Sequence, residues 1–262
     1  MNEFIFAFDN REQWAAPKEE VLPLLKTAGF DGIEIPIHPD FIGVGGVHDL
    51  AVLKGMLADH ELNAPAIATF WDSPCEPMDH DMVRGMLNTA DALTSLTHSR
   101  VAVVRLGVCP PDAVEEALKN LTGVLIMASN HFDPAGMEVA LEFKSAGLLG
   151  TYGQAMDWLY LHNPQVGLAV DTESLALSHS DAYRAATELG KRIELVYLTE
   201  PSDSKRFNLR EFFSGLKTAG FTGPFAIRTH APLDAASLTN TLAAVRQLWA
   251  DAPVEAVAVT EA

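Results

Sequence analysis

Leu25-Lys26-Thr27-Ala28-Gly29-Phe30-Asp31-Gly32 returns near the other end of the chain as Leu216-Lys217-Thr218-Ala219-Gly220-Phe221-Thr222-Gly223, with one residue in eight changed. Each copy sits where a helix should end and a strand begin. Gly29 suits the left-handed residue that closes a helix. Chance, or one helix-stop solution used twice, accounts for the echo equally well. In both cases two helix-to-strand joints share one chemistry, which supports a chain of repeated strand–helix units.

Outward from these joints the pattern continues along the chain. Eight short apolar runs read as strands: Phe4–Asp9, Gly32–Ile37, Ala64–Phe70, Val101–Gly107, Met137–Phe143, Val166–Asp171, Ile193–Thr199 and Pro224–Thr229. Val101-Ala102-Val103-Val104 and Val139-Ala140-Leu141 are continuously apolar, as in strands covered on both faces. Amphipathic helices fill the gaps. Leu50, Leu53, Met56 and Leu57 form one apolar stripe, and Leu209, Phe212, Phe213 and Leu216 another. Pro17 suits the first turn of the first helix, and Pro23 should bend it.

Eight such units in 262 residues favour a single closed (β/α)8 barrel spanning residues 1–262. A doubly wound open sheet is the competitor. It loses support because no Gly-x-Gly-x-x-Gly follows the first strand. Helix-to-strand connections are short, such as Asn163-Pro164-Gln165. Strand-to-helix connections are longer, such as His38–Gly46, Trp71–His80 and Glu200–Asn208. Long loops at one end place a pocket at the C-terminal ends of the strands.

Eighteen Lys and Arg against 35 Asp and Glu give a formal charge of −17. Such a surface repels nucleic acid and anionic membranes, so neither is expected as a partner. No apolar run approaches the roughly 20 residues of a membrane span. The opening residues carry Glu3 where a secretory leader would be basic, so a cytoplasmic location is expected. Cys75 and Cys109 form no metal-binding or disulfide pattern.

At the C-terminal ends of the strands stand Asp9, Glu34, Trp71, Arg105, Glu142, Lys144, Asp171, Glu173, Tyr197, Glu200, Arg228 and His230. A single charged residue there is usually only a solvated loop start; several converging make an acidic cluster with cations and aromatic groups. Trp71, Trp158 and Trp249 are candidates for an interface between copies, with core packing the plainer role.

Four motifs in order carry a family resemblance: Ala28-Gly29-Phe30-Asp31-Gly32-Ile33-Glu34-Ile35, Ala140-Leu141-Glu142-Phe143, Val166-Gly167-Leu168-Ala169-Val170-Asp171-Thr172 and Ala219-Gly220-Phe221-Thr222-Gly223. With this spacing the chain resembles the sugar isomerase/epimerase-like TIM barrels, the superfamily of xylose isomerase, inosose isomerases and dehydratases, and endonuclease IV. That resemblance implies a divalent metal held by Glu, Asp, His and Glu from the last four strands. Glu142 and Asp171 match the first two. Tyr197 stands where the His is expected, Arg228 where the second Glu is expected, and Ser174 where a further His often follows. A guanidinium offers a metal no lone pair and repels it. No metal or other cofactor is therefore expected. A divalent ion at Glu142 and Asp171, with substitute ligands from Glu173, Glu200 and His230, is the weaker alternative. Arg228 is expected to point inward between Glu142 and Asp171, and both carboxylates, paired with it, are expected to stay ionised near neutral pH.

Two functions survive. One is an isomerase or epimerase acting on a sugar or cyclitol by proton transfer next to a carbonyl. There Glu142 is the base, Asp171 shares the catalytic group, and Arg228 or Lys144 stabilises the enediolate. Glu34, His38, Trp71, Arg105, Lys144, Glu173, Glu200 and His230 are the candidate substrate-binding residues. The alternative is a non-catalytic relative that binds a small sugar-like ligand. Endonuclease action is disfavoured by charge and by the lost ligands.

Overall fold

The computed structural model describes residues 2–8, 13, 16–44, 47–71, 79–106, 109–143, 148–149, 151–178, 181–199, 207–229 and 233–254. Eight parallel strands pair in chain order: β1 (Phe4–Phe6), β2 (Gly32–Pro36), β3 (Asn63–Trp71), β4 (Val101–Leu106), β5 (Glu138–Phe143), β6 (Gly167–Asp171), β7 (Ile193–Thr199) and β8 (Phe225–Arg228). β1 also pairs with β8. The sheet therefore closes, no edge strand remains, and the open-sheet competitor is excluded. The fold is a (β/α)8 TIM barrel.

Strand limits differ from expectation by a residue or so, except at β1, which stops at Phe6. Its ladder nonetheless runs on, because Ala7 N donates to Ile227 O at 3.0 Å. Asp9, the expected last residue of that strand, and Gly107 lie outside the described residues. β8 starts at Phe225 because Pro224 has no N–H for the ladder.

The helices are α1 (Lys18–Ala28), α2 (Pro39–Ile42), α3 (Val47–Asp59), α4 (His80–Thr97), α5 (Val114–Phe132), α6 (Tyr152–His162), α7 (Thr172–Leu177), α8 (Ala182–Leu189), α9 (Leu209–Ala219) and α10 (Ala235–Asp251). Pro17 is the N-cap residue of α1, one place ahead of the first turn where it was expected, and Pro23 lies inside the helix. The short α2 and α7 are insertions in the loops after β2 and β6.

The echoed octapeptide builds the same joint twice. Gly29 and Gly220 take φ of 88° and 76°. Phe30 N reaches back to Leu25 O at 3.1 Å, and Phe221 N to Leu216 O at 2.9 Å. Those bonds satisfy carbonyls that a helix end leaves open. The last glycine of each copy also has a reason. A Cβ on Gly32 would lie 2.3 Å from Asn63 O, and one on Gly223 2.4 Å from Glu194 O. The neighbouring strand's backbone leaves no room for a side chain there.

Alternation along each strand splits the interior in two. Ile5, Ala7, Ala66, Ala68, Val101, Val103, Ala140, Ala169, Leu195, Tyr197 and Ala226 fill the barrel itself. A larger cluster, including Phe6, Ile33, Ile67, Phe212 and Phe225, packs the strands against the helices. Trp249 belongs to this outer layer: its ring stands 5.3 Å from Phe213 and 4.8 Å from Phe225. Trp158 is partly buried against the same layer. Among the described residues no helix is long and apolar enough to cross a membrane. Cys109 is half-buried, its Sγ donating to Pro110 O at 3.4 Å, and Cys75 lies outside the described residues.

Candidate active site

Period-2 geometry selects the residues that meet in the barrel mouth. Two places above inward-facing Val103, Ala140, Ala169, Leu195 and Ala226 stand Arg105, Glu142, Asp171, Tyr197 and Arg228. Glu34, level with inward-facing Ala66, joins them from β2. Beneath this polar layer three of the five positions are alanine, which leaves room for two arginines and a tyrosine. All six polar side chains are buried, from 0% to 4% exposed.

The six form one connected network. Arg228 Nη1 donates to Glu142 Oε1 at 2.7 Å and lies 3.8 Å from Asp171 Oδ2. Its guanidinium carbon sits 3.3 Å over the Tyr197 ring. The Tyr197 hydroxyl donates to Glu34 Oε1, and Arg105 Nη2 pairs with Glu34 Oε2. Arg105 also donates to Phe8 O at 2.8 Å and lies 3.6 Å from Glu142 Oε2. Asp171 Oδ1 caps α7 by accepting from Glu173 N at 3.0 Å, and accepts from Thr199 Oγ1 at 2.9 Å.

Buried ions of this kind are held by their partners. Removing one member of such a pair costs about 3–5 kcal/mol. Burial works against the Arg228 cation, but Glu142, Tyr197, Asp171 and Glu34 outweigh it and raise its pKa, so it stays charged. Burial and Arg228 work against Arg105, but Glu34, Tyr197 and Glu142 win. Burial pushes the Tyr197 phenol well up, so it remains a donor. At Asp171 the guanidinium does not decide the direction of the shift. Burial, with Glu142 beside it, pushes its carboxyl up despite Arg228, the Glu173 amide and Thr199.

One edge of Arg228 is left over. Its Nε and Nη2 are buried and find no hydrogen-bond acceptor among the described residues. A buried donor without a partner costs on the order of 1–3 kcal/mol, so two on one side chain call for a reason.

The other expected binding residues lie elsewhere. Trp71 faces outward: Ala66 and Ala68 line the barrel, while Ile67 and Trp71 join the outer layer. It packs core, and its expected contact with ligand is corrected by that parity. His38 caps α2, its Nδ1 accepting from Asp40 N at 3.2 Å. It lines a groove of about 500 Å³ with Ile37, Ile42, Leu50 and Met86, outside the network. Glu173 is exposed on α7, and its backbone rather than its side chain serves Asp171. Lys144, Glu200 and His230 lie outside the described residues. Sequence reasoning left Thr199 out. It stands two places beyond Tyr197 on β7, and that spacing alone would have put it on the inward face.

Among the described residues the donor set does not fit a divalent cation; Glu200 and His230, named above as substitute ligands, lie outside them. Among the described residues no three His, Cys, Asp or Glu side chains gather around one point. Glu142 and Asp171 are two carboxylates sharing a guanidinium, and a metal there would meet a fixed positive charge.

The xylose isomerase-like TIM barrel profile matches residues 22–248. The chain belongs to this family. Among solved xylose isomerase-like barrels, an L-ribulose 3-epimerase is similar at 16% identity and a TM-score of 0.73, over 96% of each chain. The 3-keto-D-glucoside 4-epimerase from E. coli is similar at 15% identity and a TM-score of 0.72, over 94% of this chain and 100% of that one. An AP endonuclease, family 2, from Brucella melitensis matches at 16% identity and a TM-score of 0.74, over 92% of this chain and 98% of that one. At such identities the likeness is one of fold, and the three names span different chemistries. Among curated proteins none matches the sequence significantly.

Proposed function

We propose that this barrel catalyses proton transfer next to a carbonyl in a sugar or cyclitol, as an isomerase or epimerase whose centre uses a guanidinium instead of a metal. The observation that carries it is Arg228, fixed in the barrel mouth 2.7 Å from Glu142 and 3.8 Å from Asp171. A carboxylate can take the proton from the carbon beside a ketone. Electron density then moves onto the carbonyl oxygen, giving an enediolate, and a preorganised buried cation stabilises that oxyanion. Return of the proton to the neighbouring carbon, with the hydroxyl proton passing to the former carbonyl oxygen, isomerises the sugar. Return to the opposite face of the same carbon epimerises it. Glu142 is the base. Asp171, with its carboxyl pushed up by burial, is suited to carry the returning proton. The similarity to solved sugar epimerases supports this reading, and the partner it implies is a small sugar-like molecule.

The alternative, a ligand-binding protein without chemistry, draws on one observation: every carboxylate in the network already has an ionic or hydrogen-bonding partner. A single experiment separates the two. Protein freed of metal by chelator is incubated in D2O with ketoses and inositol ketones, and deuterium at the carbon beside the carbonyl is followed by NMR. Exchange is expected without added metal and should be lost in Glu142→Gln. Exchange that appears only on adding Mn²⁺ or Mg²⁺ would overturn the metal-free centre. Ligand binding without exchange would favour the binding protein.

A further inference from the structure

We propose that the Nε/Nη2 edge of Arg228 is the ligand's anchoring point, and that it holds two adjacent oxygens of an uncharged ketose or cyclitol ketone rather than a carboxylate or phosphate. This takes the ligand class from the proposed function and adds which protein atoms hold it and what charge it carries.

Three observations point there. First, the guanidinium is locked. Nη1 is bound to Glu142 at 2.7 Å, and the plane rests on Tyr197 with the central carbon 3.3 Å from the ring centroid. Tyr197 is in turn held by its hydroxyl on Glu34. Second, Nε and Nη2 are buried without an acceptor among the described residues. In a guanidinium these two N–H groups share one edge and point in parallel, a fork that fits two oxygens side by side. A ligand presenting such a pair meets donors already stripped of water and already oriented. Third, charge selects among the ligands that own such a pair. The described network holds three carboxylates, Glu34, Glu142 and Asp171, against two guanidiniums, Arg105 and Arg228. The formal balance is −1 before any ligand enters, within a chain of −17. A carboxylate fits the fork in shape but brings like charge into a buried anionic site. The carbonyl and hydroxyl oxygens of a hydroxyketone fit it without that penalty. They also put the carbonyl on the guanidinium that Glu142 binds through Nη1.

The test compares matched probes on the wild-type protein by NMR titration. D-ribulose, L-ribulose, D-tagatose and an inosose are set against D-ribonate and D-ribulose 5-phosphate. At least one neutral ketone should bind at least about tenfold more tightly than either anion. The Arg228→Lys protein keeps the charge and loses the fork. There the ketone affinity should fall about tenfold or more, while a preserved circular-dichroism spectrum reports the fold. Tighter binding of ribonate or the phosphate, no binding of any neutral probe up to its solubility, or wild-type affinity in a folded Arg228→Lys protein would each overturn the proposal. If that variant does not fold, the wild-type probe series decides alone. Neutral-ligand preference without deuterium exchange would leave this inference standing and remove the catalytic one. Exchange in an anionic substrate would do the reverse.

Discussion

Arg228 and Tyr197 are interlocked, so neither can be replaced alone without disturbing the other. The guanidinium lies flat on the ring, and the ring is fixed by the hydrogen bond from its hydroxyl to Glu34. These are the two places where the chain departs from the metal-binding pattern implied by the family resemblance, and the two side chains pack on each other. On the proposed function, Arg228 supplies the positive charge that a metal would have supplied to Glu142 and Asp171. Tyr197 gives the guanidinium an electron-rich face in place of a metal-ligating imidazole. Reverting both together, Arg228→Glu with Tyr197→His, removes the competing cation and adds two donors to two carboxylates already on adjacent strands. The double variant should bind Mn²⁺ or Zn²⁺ at least tenfold more tightly than the wild type, about 1.4 kcal/mol, by calorimetric titration. Equal affinities, or a tight stoichiometric ion in the unmodified protein, would mean that Arg228 does not stand in for the metal.

At the scale of the element, the echoed joint separates two costs of replacing glycine. Gly220 needs only its positive φ, since a Cβ there meets nothing within 4 Å. Gly220→Ala should therefore cost about 1 kcal/mol. Gly223 has no positive φ, but a Cβ would press on Glu194 O at 2.4 Å. Backbone must move to admit it, so Gly223→Ala should cost more, about 1–3 kcal/mol by the scale of overpacked interiors. Chemical denaturation of the two variants gives the order, and the reverse order would contradict it. The same joint shows what could be read in advance. Helix ends and strand starts were legible because their chemistry is local: a glycine, a hydrophobic run, an alternating face. The inward set Glu142, Asp171 and Arg228 was legible for the same reason, through its strand-end positions. The contacts that decide the site's character were not. Tyr197 and Glu34 are separated by 163 residues, and only barrel closure brings them together. The parity that turns Trp71 outward depends on the register of β3, which a single apolar run does not fix.

Over the whole molecule, charge acts at both ends of the barrel. The net −17 leaves little to neutralise phosphates, so no DNA binding is expected in a gel-shift assay at physiological salt with low micromolar protein. A salt-sensitive shift would contradict that. The end opposite the candidate site carries its own carboxylate, Glu194, at the second position of β7 and half-buried. Burial pushes its pKa from 4.5 to about 7, with Glu138 at the start of β5 adding to the rise and Arg192 opposing it. The sign follows from which state holds the proton. Between about 4.5 and 7 the folded chain keeps it at Glu194 while the unfolded chain releases it. This group's contribution to stability is thus fully present below 4.5 and is lost as pH rises through 7. Glu194→Gln keeps the shape and removes the ionisation. It should raise the melting temperature at pH 8 relative to wild type, by a stabilisation on the order of 1 kcal/mol because a half-buried group is partly screened. At pH 4 the two proteins should melt closely together. A difference that is the same at both pH values would show that Glu194 acts through packing rather than through its charge.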